Sequence, residues 1–439
     1  VSTNPESSYT KLDEVAVMAD QPKPAVLRSP LLLFLYGSAC LALFIVLFGT
    51  ISLLLESRDP NSLPFFISLP TQLQHHYARG TLIKVETSRT LSPLEVFAFQ
   101  SENSADGSEK VVILHGLGLN SFGFREVVES LGAKGIHAVS FDLPGHGFSN
   151  KTMEVVEEGY ERGFYGRMWD VYYFIKENGL FWAFDRVVET GQLPYDEILA
   201  HFNKGRTVVK PASLRSDEVG MALGQVIETL GLGSVHLVLH DSSLNLVGFW
   251  ISQNPDLVRS VTLVDTGVKP AMPLWLMEVP AASILSMAST VVYKGLINFC
   301  CSTGIAYSDL IGHRKMYRTG MVAMREMNGK LNASFDMAEW GKSEGMKGMP
   351  LQVIWASNWS SRWKSEGDKV SKALNLTKFV SHSGGRWPNG DSSRQIADQV
   401  AEFIGSLPQS DKRVQDNQAA EHIQQVISEA QVSENDWDN

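Results

Sequence analysis

The triplet His240-Asp241-Ser242 stands where an apolar run, VHLVLH from Val235, gives way to the helical pattern SLNLVGFWISQ. A carboxylate and a hydroxyl at a strand-to-helix junction are the material of nucleophilic chemistry. A side-chain oxygen forms a covalent intermediate there, and an imidazole manages the protons. Imidazoles lie elsewhere in the chain: His115 precedes Gly116 in HGLGLN, His146 lies in DLPGHGFS from Asp142, and His382 lies in VSHSGGRWP. Each histidine also has a plainer reading. His115 and His146 sit in Gly-containing loops, where histidines hold backbone by hydrogen bonds. His240 beside Asp241 reads as a satisfied buried pair, and His75-His76 as a pair facing solvent or lipid headgroups. The three cysteines, Cys40, Cys300 and Cys301, exclude a disulfide scaffold and a four-thiolate zinc site. Cys300 and Cys301 are adjacent and read as buried thiols. No metal or cofactor is implied.

The elements that must position these residues alternate. VVILHGLG from Val111 is a strand ending in a Gly turn, followed by a helix through Phe122 to Leu131. HAVSFDLPGHGFS from His137 is a second strand, MALGQVIETLGLG from Met221 a helix with a Gly stop, and VHLVLHDSS the next buried strand. SVTLVDT from Ser260, LQVIWASN from Leu351 and KFVSHSG from Lys378 are later strands, and a last helix covers Ile396 to Ile404. Short apolar strands alternating with amphipathic helices predict an α/β fold, a mostly parallel sheet covered on both faces. Two segments break the rhythm. The first, 151–216, is rich in aromatic and charged residues (GFYGRMWDVYYFIKENGLFWAFD) and predicts a helical insertion. The second, 269–349, predicts a helical cap over the C-terminal edge of the sheet.

Composition limits the partners. Of 439 residues, 44% are hydrophobic and 20% charged, and the net charge is −10. Such apolar content excludes a wholly disordered chain. A mean hydropathy near zero excludes a polytopic membrane protein. The acidic balance argues against a duplex-binding face, so no nucleic-acid partner is expected. Half of the net charge lies in Asp411–Asn439, with seven acids and two bases, and 408–439 reads as an acidic mobile tail.

One segment points to a membrane. After a polar stretch, 1–30, the run from Leu31 to Leu55 contains no charge. As a helix it would reach about 37 Å, enough for a hydrocarbon core of ~30 Å. The run is too long for the apolar region of a signal peptide, so a single transmembrane anchor over 31–55 is expected. Residues 56–110 follow as juxtamembrane chain and N-terminal strands, and the main domain covers 111–407. Lys11, Lys23 and Arg28 precede the run and Arg58 follows it, which favours a lumenal C-terminal body. Four N-x-S/T sequons, at Asn150, Asn332, Asn358 and Asn375, agree with that side.

Taken in order, HGLGLN, DLPGHGFS, the His240–Ser242 junction and NPDLVRSVTLVD from Asn254 resemble the α/β-hydrolase superfamily. In that family the nucleophile sits on a tight strand-to-helix elbow, and backbone N–H groups there and in the His-Gly loop stabilise the oxyanion. The resemblance places the nucleophile one residue after the elbow histidine, at Asp241, as in epoxide hydrolases and haloalkane dehalogenases. Ser242 would serve as an esterase nucleophile only if the elbow slipped by one residue. The flanking Leu239 is bulkier than a serine elbow normally carries, while Ser243 is small. The family also implies a histidine before a W-P pair, as G-H-W-P, but this chain reads G-G-R-W-P with Arg386 there. Arginine stays protonated and cannot act as a base. His382, four residues earlier, would serve only with a shifted loop. At the acid position, W-G-x-x-D in the family, W-A-S-N-W places Trp359, which leaves Asp265 after the preceding strand as the alternative acid. The resemblance thus implies a hydrolase fold whose elbow and oxyanion positions, Asp241, Ser242, His115 and Gly116, are vestigial. His382 joins them only if the chain is active. An esterase, thioesterase or epoxide-hydrolase-like enzyme using Asp241 is the alternative, and a small-molecule receptor a third possibility.

Finer details narrow the likeness. DPNSLPFFISLPTQLQHHYARGTLIKVETS, GLFWAFDRVVETGQLPYDEI, VHLVLHDSSLNL and VSHSGGRWP together resemble the auxin-resistant-four family of plant endoplasmic-reticulum accessory proteins, a divergent branch of the hydrolase superfamily. That family implies a single-pass anchor in the endoplasmic reticulum membrane. It also implies a role in exporting a polytopic, amino-acid-permease-like auxin influx carrier to its polar place at the plasma membrane, and so in auxin response and root gravitropism. The partners implied are that carrier, directly or indirectly, and membrane lipid through the anchor.

Overall fold

In the computed structural model, residues 30–56, 63–88, 90–102, 108–157, 206–279, 289–331, 335–374 and 378–408 are described, with a few single positions between them. The chain divides into two compact units, Val1–Phe48 and Gly49–Asn439. Helix α1, Pro30–Glu56, starts in the first. Most of its described side chains, among them Leu32, Phe34, Leu41 and Phe44, are exposed, and Val46 is half-buried. Over the described residues no helix is long and apolar enough to cross a membrane. Several α1 side chains lie outside them, and the anchor returns below as a proposal. The polar stretch before residue 30 and the acidic tail after 408 also lie outside the described residues.

The second unit is built on a sheet of eight strands in the order β1-β2-β4-β3-β7-β8-β9-β10. These are β1 Thr81–Val85, β2 Leu94–Gln100, β3 Lys110–Leu114, β4 His137–Phe141, β7 Val235–His240, β8 Val258–Val264, β9 Leu351–Trp355 and β10 Lys378–Ser381. β1 pairs with β2, and β2 with β4, antiparallel. Every later neighbour is parallel. β7 (VHLVLH) and β9 (LQVIW) are buried at every position, as central strands covered on both faces must be. The edge strand β1 alternates, with only Ile83 and Val85 buried.

Helices α2 Leu63–Ile67 and α3 Thr71–Arg79 lead into the sheet. The covering helices are α4 Arg125–Gly132, α5 Ser216–Thr229, α6 Ser243–Gln253 and, later in the chain, Gly390–Gly405. α5 packs on α6, and α4 on Gly390–Gly405. Between β8 and β9 the cap segment forms α7 Thr290–Cys300, α8 Tyr307–Lys330 and α9 Met337–Lys342. α10 Ser361–Ala373 follows β9, and Gly390–Gly405 is α11.

Three expectations need correction. The ends of the expected helical insertion are strands: β5 Thr152–Glu157 and β6 Arg206–Pro211 form an antiparallel ribbon. Their Val-rich alternation is a strand pattern that the aromatic run beside it hides, and most of 158–205 lies outside the described residues. His76 is buried rather than facing solvent or headgroups. Three-residue spacing puts it on the inner face of α3 with Leu73, its ring 4.3 Å from that of Phe99 and its Nε2 3.0 Å from Ser121 Oγ. Cys300 and Cys301 are joined in a disulfide rather than held as separate thiols. Helix α7 ends at Cys300, and the backbone leaves the helical region at Cys301 (φ −134°), which turns the second sulfur back onto the first.

Candidate functional site

The turn after β7 carries unusual backbone. Asp241 (φ +57°) and Asp265 (φ +46°) are the non-glycine residues in the left-handed region among those described. Asp tolerates that region better than most side chains, yet it still strains a residue bearing a Cβ. The strain at Asp241 is held on both sides. Its N–H donates to Val264 O at 3.1 Å, and its carbonyl accepts the N–H of Gly267 at 3.2 Å. Gly116 crosses the turn so closely that a Cβ there would sit 2.5 Å from Asp241 Cβ. Only glycine permits this approach.

The Asp241 side chain is 1% exposed. Oδ2 accepts the N–H of Ala271 at 2.7 Å, while Oδ1 has no partner. Burial raises its pKa from an ordinary 3.8 to about 6. The Arg386 charge and the N–H groups of Ala271 and Ser242 restrain the rise. Ser242 is fully buried, and its Oγ accepts the N–H of Leu117 at 3.0 Å.

The histidines divide into loop holders and one paired imidazole. His115 donates Nδ1–H to Gly116 O (2.9 Å) and accepts the N–H of Leu143 on Nε2 (3.0 Å), so both nitrogens are spent on loop backbone. His146 Nδ1 lies 3.2 Å from Pro144 O. Both agree with the plainer reading of these residues. His240 does not pair with Asp241. Its Nε2 donates to Arg386 O at 2.7 Å, Nδ1 has no partner, and burial lowers its pKa to about 4. The expected His240-Asp241 pair is therefore corrected to two separate anchors, since β7 ends at His240 and the left-handed turn at Asp241 carries its carboxylate to Ala271 while His240 reaches Arg386 O.

His382 lies directly after β10 and pairs with Asp265, Nε2 to Oδ2 at 2.6 Å. Its other nitrogen, Nδ1, accepts the N–H of Gly384 at 3.2 Å. Asp265 Oδ1 takes two further donors, Ala356 N–H and Trp363 Nε1–H, each at 2.8 Å. Arg386 lays its guanidinium over the Trp363 ring, 3.8 Å from the centroid. Trp359 is half-buried beside Gly385. The ends of β8 and β10 carry Asp265 and His382 to the same edge of the sheet.

A family model for the α/β-hydrolase fold matches residues 110–358. The chain belongs to the α/β-hydrolase family. Among solved structures, the hydrolase fold here resembles a bacterial membrane phospholipase A described as a virulence factor, at TM-score 0.48 and 14% identity over 84% of this chain and 98% of that one. It also resembles a malate-bound esterase from Thermogutta terrifontis, at 0.48 and 12% over 74% and 98%. An enol-lactonase from Burkholderia xenovorans follows at 0.44 and 12% over 71% and 97%. Likeness at that level carries no argument about substrate.

In an α/β-hydrolase the oxyanion is held by the N–H after the nucleophile and by one from the loop after the third strand. In this chain the loop donor is engaged: Leu117 N–H is bonded to Ser242 Oγ. Neither of two described cavities, one of about 580 Å³ beside Phe148 and one of about 640 Å³ beside Trp359, is lined by His240, Asp241 or Ser242. The structure thus brings Asp241, Ser242, His115 and Gly116 together at one turn, and His382 with Asp265 at a neighbouring one. His382 has no nitrogen left for a nucleophile in this arrangement. The Ala271 N–H, the Leu117 N–H and the Trp363 indole escape a sequence reading. Two are backbone groups, and Trp363 looks like any helix aromatic until its Nε1 is placed on Asp265.

Proposed function

We propose that this α/β-hydrolase-family chain acts through binding and not through catalysis. One observation carries the reading. The hydroxyl of Ser242 occupies the N–H of Leu117 that an oxyanion would need, and the carboxylate of Asp241 lies buried beneath the same loop. Electrostatic catalysis depends on donors that are aimed and vacant when charge develops. The finer identity rests on the resemblance to the auxin-resistant-four family. The chain is read as a single-pass protein of the endoplasmic reticulum membrane, anchored by 31–55, with its body in the lumen. There it assists export of a polytopic auxin influx carrier, and through it root gravitropism.

The test is rescue in cells that lack the protein. Asp241→Ala, first shown to accumulate and fold, is expected to restore carrier arrival at the plasma membrane fully. Failure of a well-folded variant would overturn the reading.

A second reading, hydrolysis through Asp241, draws on the retained Asp265–His382 pair. It requires the elbow to open. Turnover of an ester, thioester or epoxide by purified protein, lost in Asp241→Ala, would replace the first reading with this one.

A further inference from the structure

The cavity of about 640 Å³ opens at the C-terminal edge of the sheet, among the loops after β9 and β10, the turn after α7 and the start of α11. Its lining is chemically specific. Hydroxyls and amides dominate, from Ser302, Ser383, Asn358 and Asn389, with exposed backbone at several glycines and one indole, Trp359. Among the described residues no Lys, Arg or His lines it, and the one carboxylate among them, Asp391, is paired with Arg394 at 2.5 Å. A helix N-terminus at such a place ordinarily attracts anions. Here α11 is closed from within by a capping box. The Asn389 side chain accepts from the first turn, and Ser392 Oγ accepts the Asn389 N–H at 3.0 Å.

One polar group at the cavity is left over. Ser302 Oγ is buried, with the residue 1% exposed, and has no partner. A buried hydroxyl without a partner calls for an explanation, and a ligand supplies one. The wall around it is firmly set. Trp387 N–H donates to Cys301 O at 3.0 Å, and a Cβ on Gly385 would stand 2.9 Å from Ser302 Cα and 3.1 Å from the Trp359 ring.

We propose that this cavity binds a neutral saccharide, with a pyranose face on the Trp359 indole and sugar hydroxyls on Ser302, Asn358 and Asn389. An uncharged ligand suits a lining whose described residues include no cation and one carboxylate, the exposed Asp391 that is paired with Arg394. Its alternation of C–H faces and hydroxyls suits one aromatic plane among amides and alcohols. The site is separate from the elbow and does not depend on whether Asp241 is catalytic.

The test is calorimetric titration of the full chain, produced in bacteria so that the Asn358 sequon stays unmodified. A zwitterionic detergent is used, because a maltoside would compete. The probes are N,N′-diacetylchitobiose and maltotriose, with inorganic phosphate as control. One of the two sugars binds and phosphate does not. Trp359→Ala weakens binding roughly tenfold or more, and the exposed Asn358→Ala weakens it several-fold, with unfolding temperatures recorded for each. A glycoprotein bearing neutral high-mannose chains, before and after their enzymatic removal, identifies the source. Binding that needs the chains assigns the site to a protein-linked glycan, and binding of free sugar alone assigns it to a soluble one. The proposal is overturned if neither sugar binds at about 10 mM, if folded Trp359→Ala and Asn358→Ala both bind like the native chain, or if phosphate displaces the sugar.

Discussion

Ser242 Oγ accepts the backbone N–H of Leu117 at 3.0 Å, closing the elbow onto the loop that follows β3. Ser242→Ala leaves that buried N–H without a partner, at a cost of about 1–3 kcal/mol. Urea unfolding of the full chain reads this as a lower midpoint with an unchanged slope. An unchanged midpoint would mean that the elbow is open in solution.

The buried carboxylate of Asp241 has a distinct signature with pH. Unfolded, it ionises near 3.8; folded, near 6. Between those values the folded state keeps a proton that the unfolded chain has released, so its contribution falls as pH rises. The total is about 3 kcal/mol by pH 7. Asp241→Asn removes the titration, keeps an acceptor for Ala271 N–H and suits φ +57°. It is therefore expected to stabilise the protein at neutral pH, with the gain vanishing below about pH 4. His240, lowered from 6.5 to about 4, has the opposite slope: its contribution is present above 6.5 and lost as pH falls. The variant accordingly shows a steeper rise of stability with pH than the native chain between about 4 and 6. Unfolding temperatures across that range decide it, and a variant less stable at pH 7 would contradict the prediction.

Gly116→Ala probes the crossing of loop and elbow. A methyl group 2.5 Å from Asp241 Cβ must displace either the loop or the turn. Overpacking of this kind costs about 1–3 kcal/mol. Calorimetric unfolding measures it, and full tolerance would show that the two segments stand further apart.

Asp265 accepts three donors, from Ala356, Trp363 and His382. Asp265→Ala orphans all three and places alanine in the left-handed region, for a loss expected above about 3 kcal/mol. His382→Ala removes one donor and leaves the carboxylate two, for about 1–2 kcal/mol. Denaturant titration of both variants checks the order. The reverse order would show that His382, and not Asp265, organises this edge.

Much of the sheet is legible in the sequence, because β7 and β9 are unbroken apolar runs and β8 ends in V-D at the edge. The elbow residues are legible for the same reason, since a polar triplet between a buried strand and a helix has few other places to go. What escapes is set by distant partners. Nothing local shows that Leu117 N–H meets Ser242, or that His382 meets Asp265 across 117 positions of chain. His76 is hidden by its company, because two histidines after an exposed helix look like surface until three phenylalanines close around one of them. The Cys300–Cys301 bridge escapes because adjacency alone argues against it, and only the backbone at the end of α7 allows it.

Glu157 and Arg206 are paired across the β5–β6 ribbon, so the chain leaves the body and re-enters it at one doorway. Closing a connection from such a doorway costs little more when it lengthens, about 0.6 kcal/mol for each doubling. That makes the interval 158–205 a place where new sequence can be grafted, exchanged or tagged while the eight-stranded frame keeps its register.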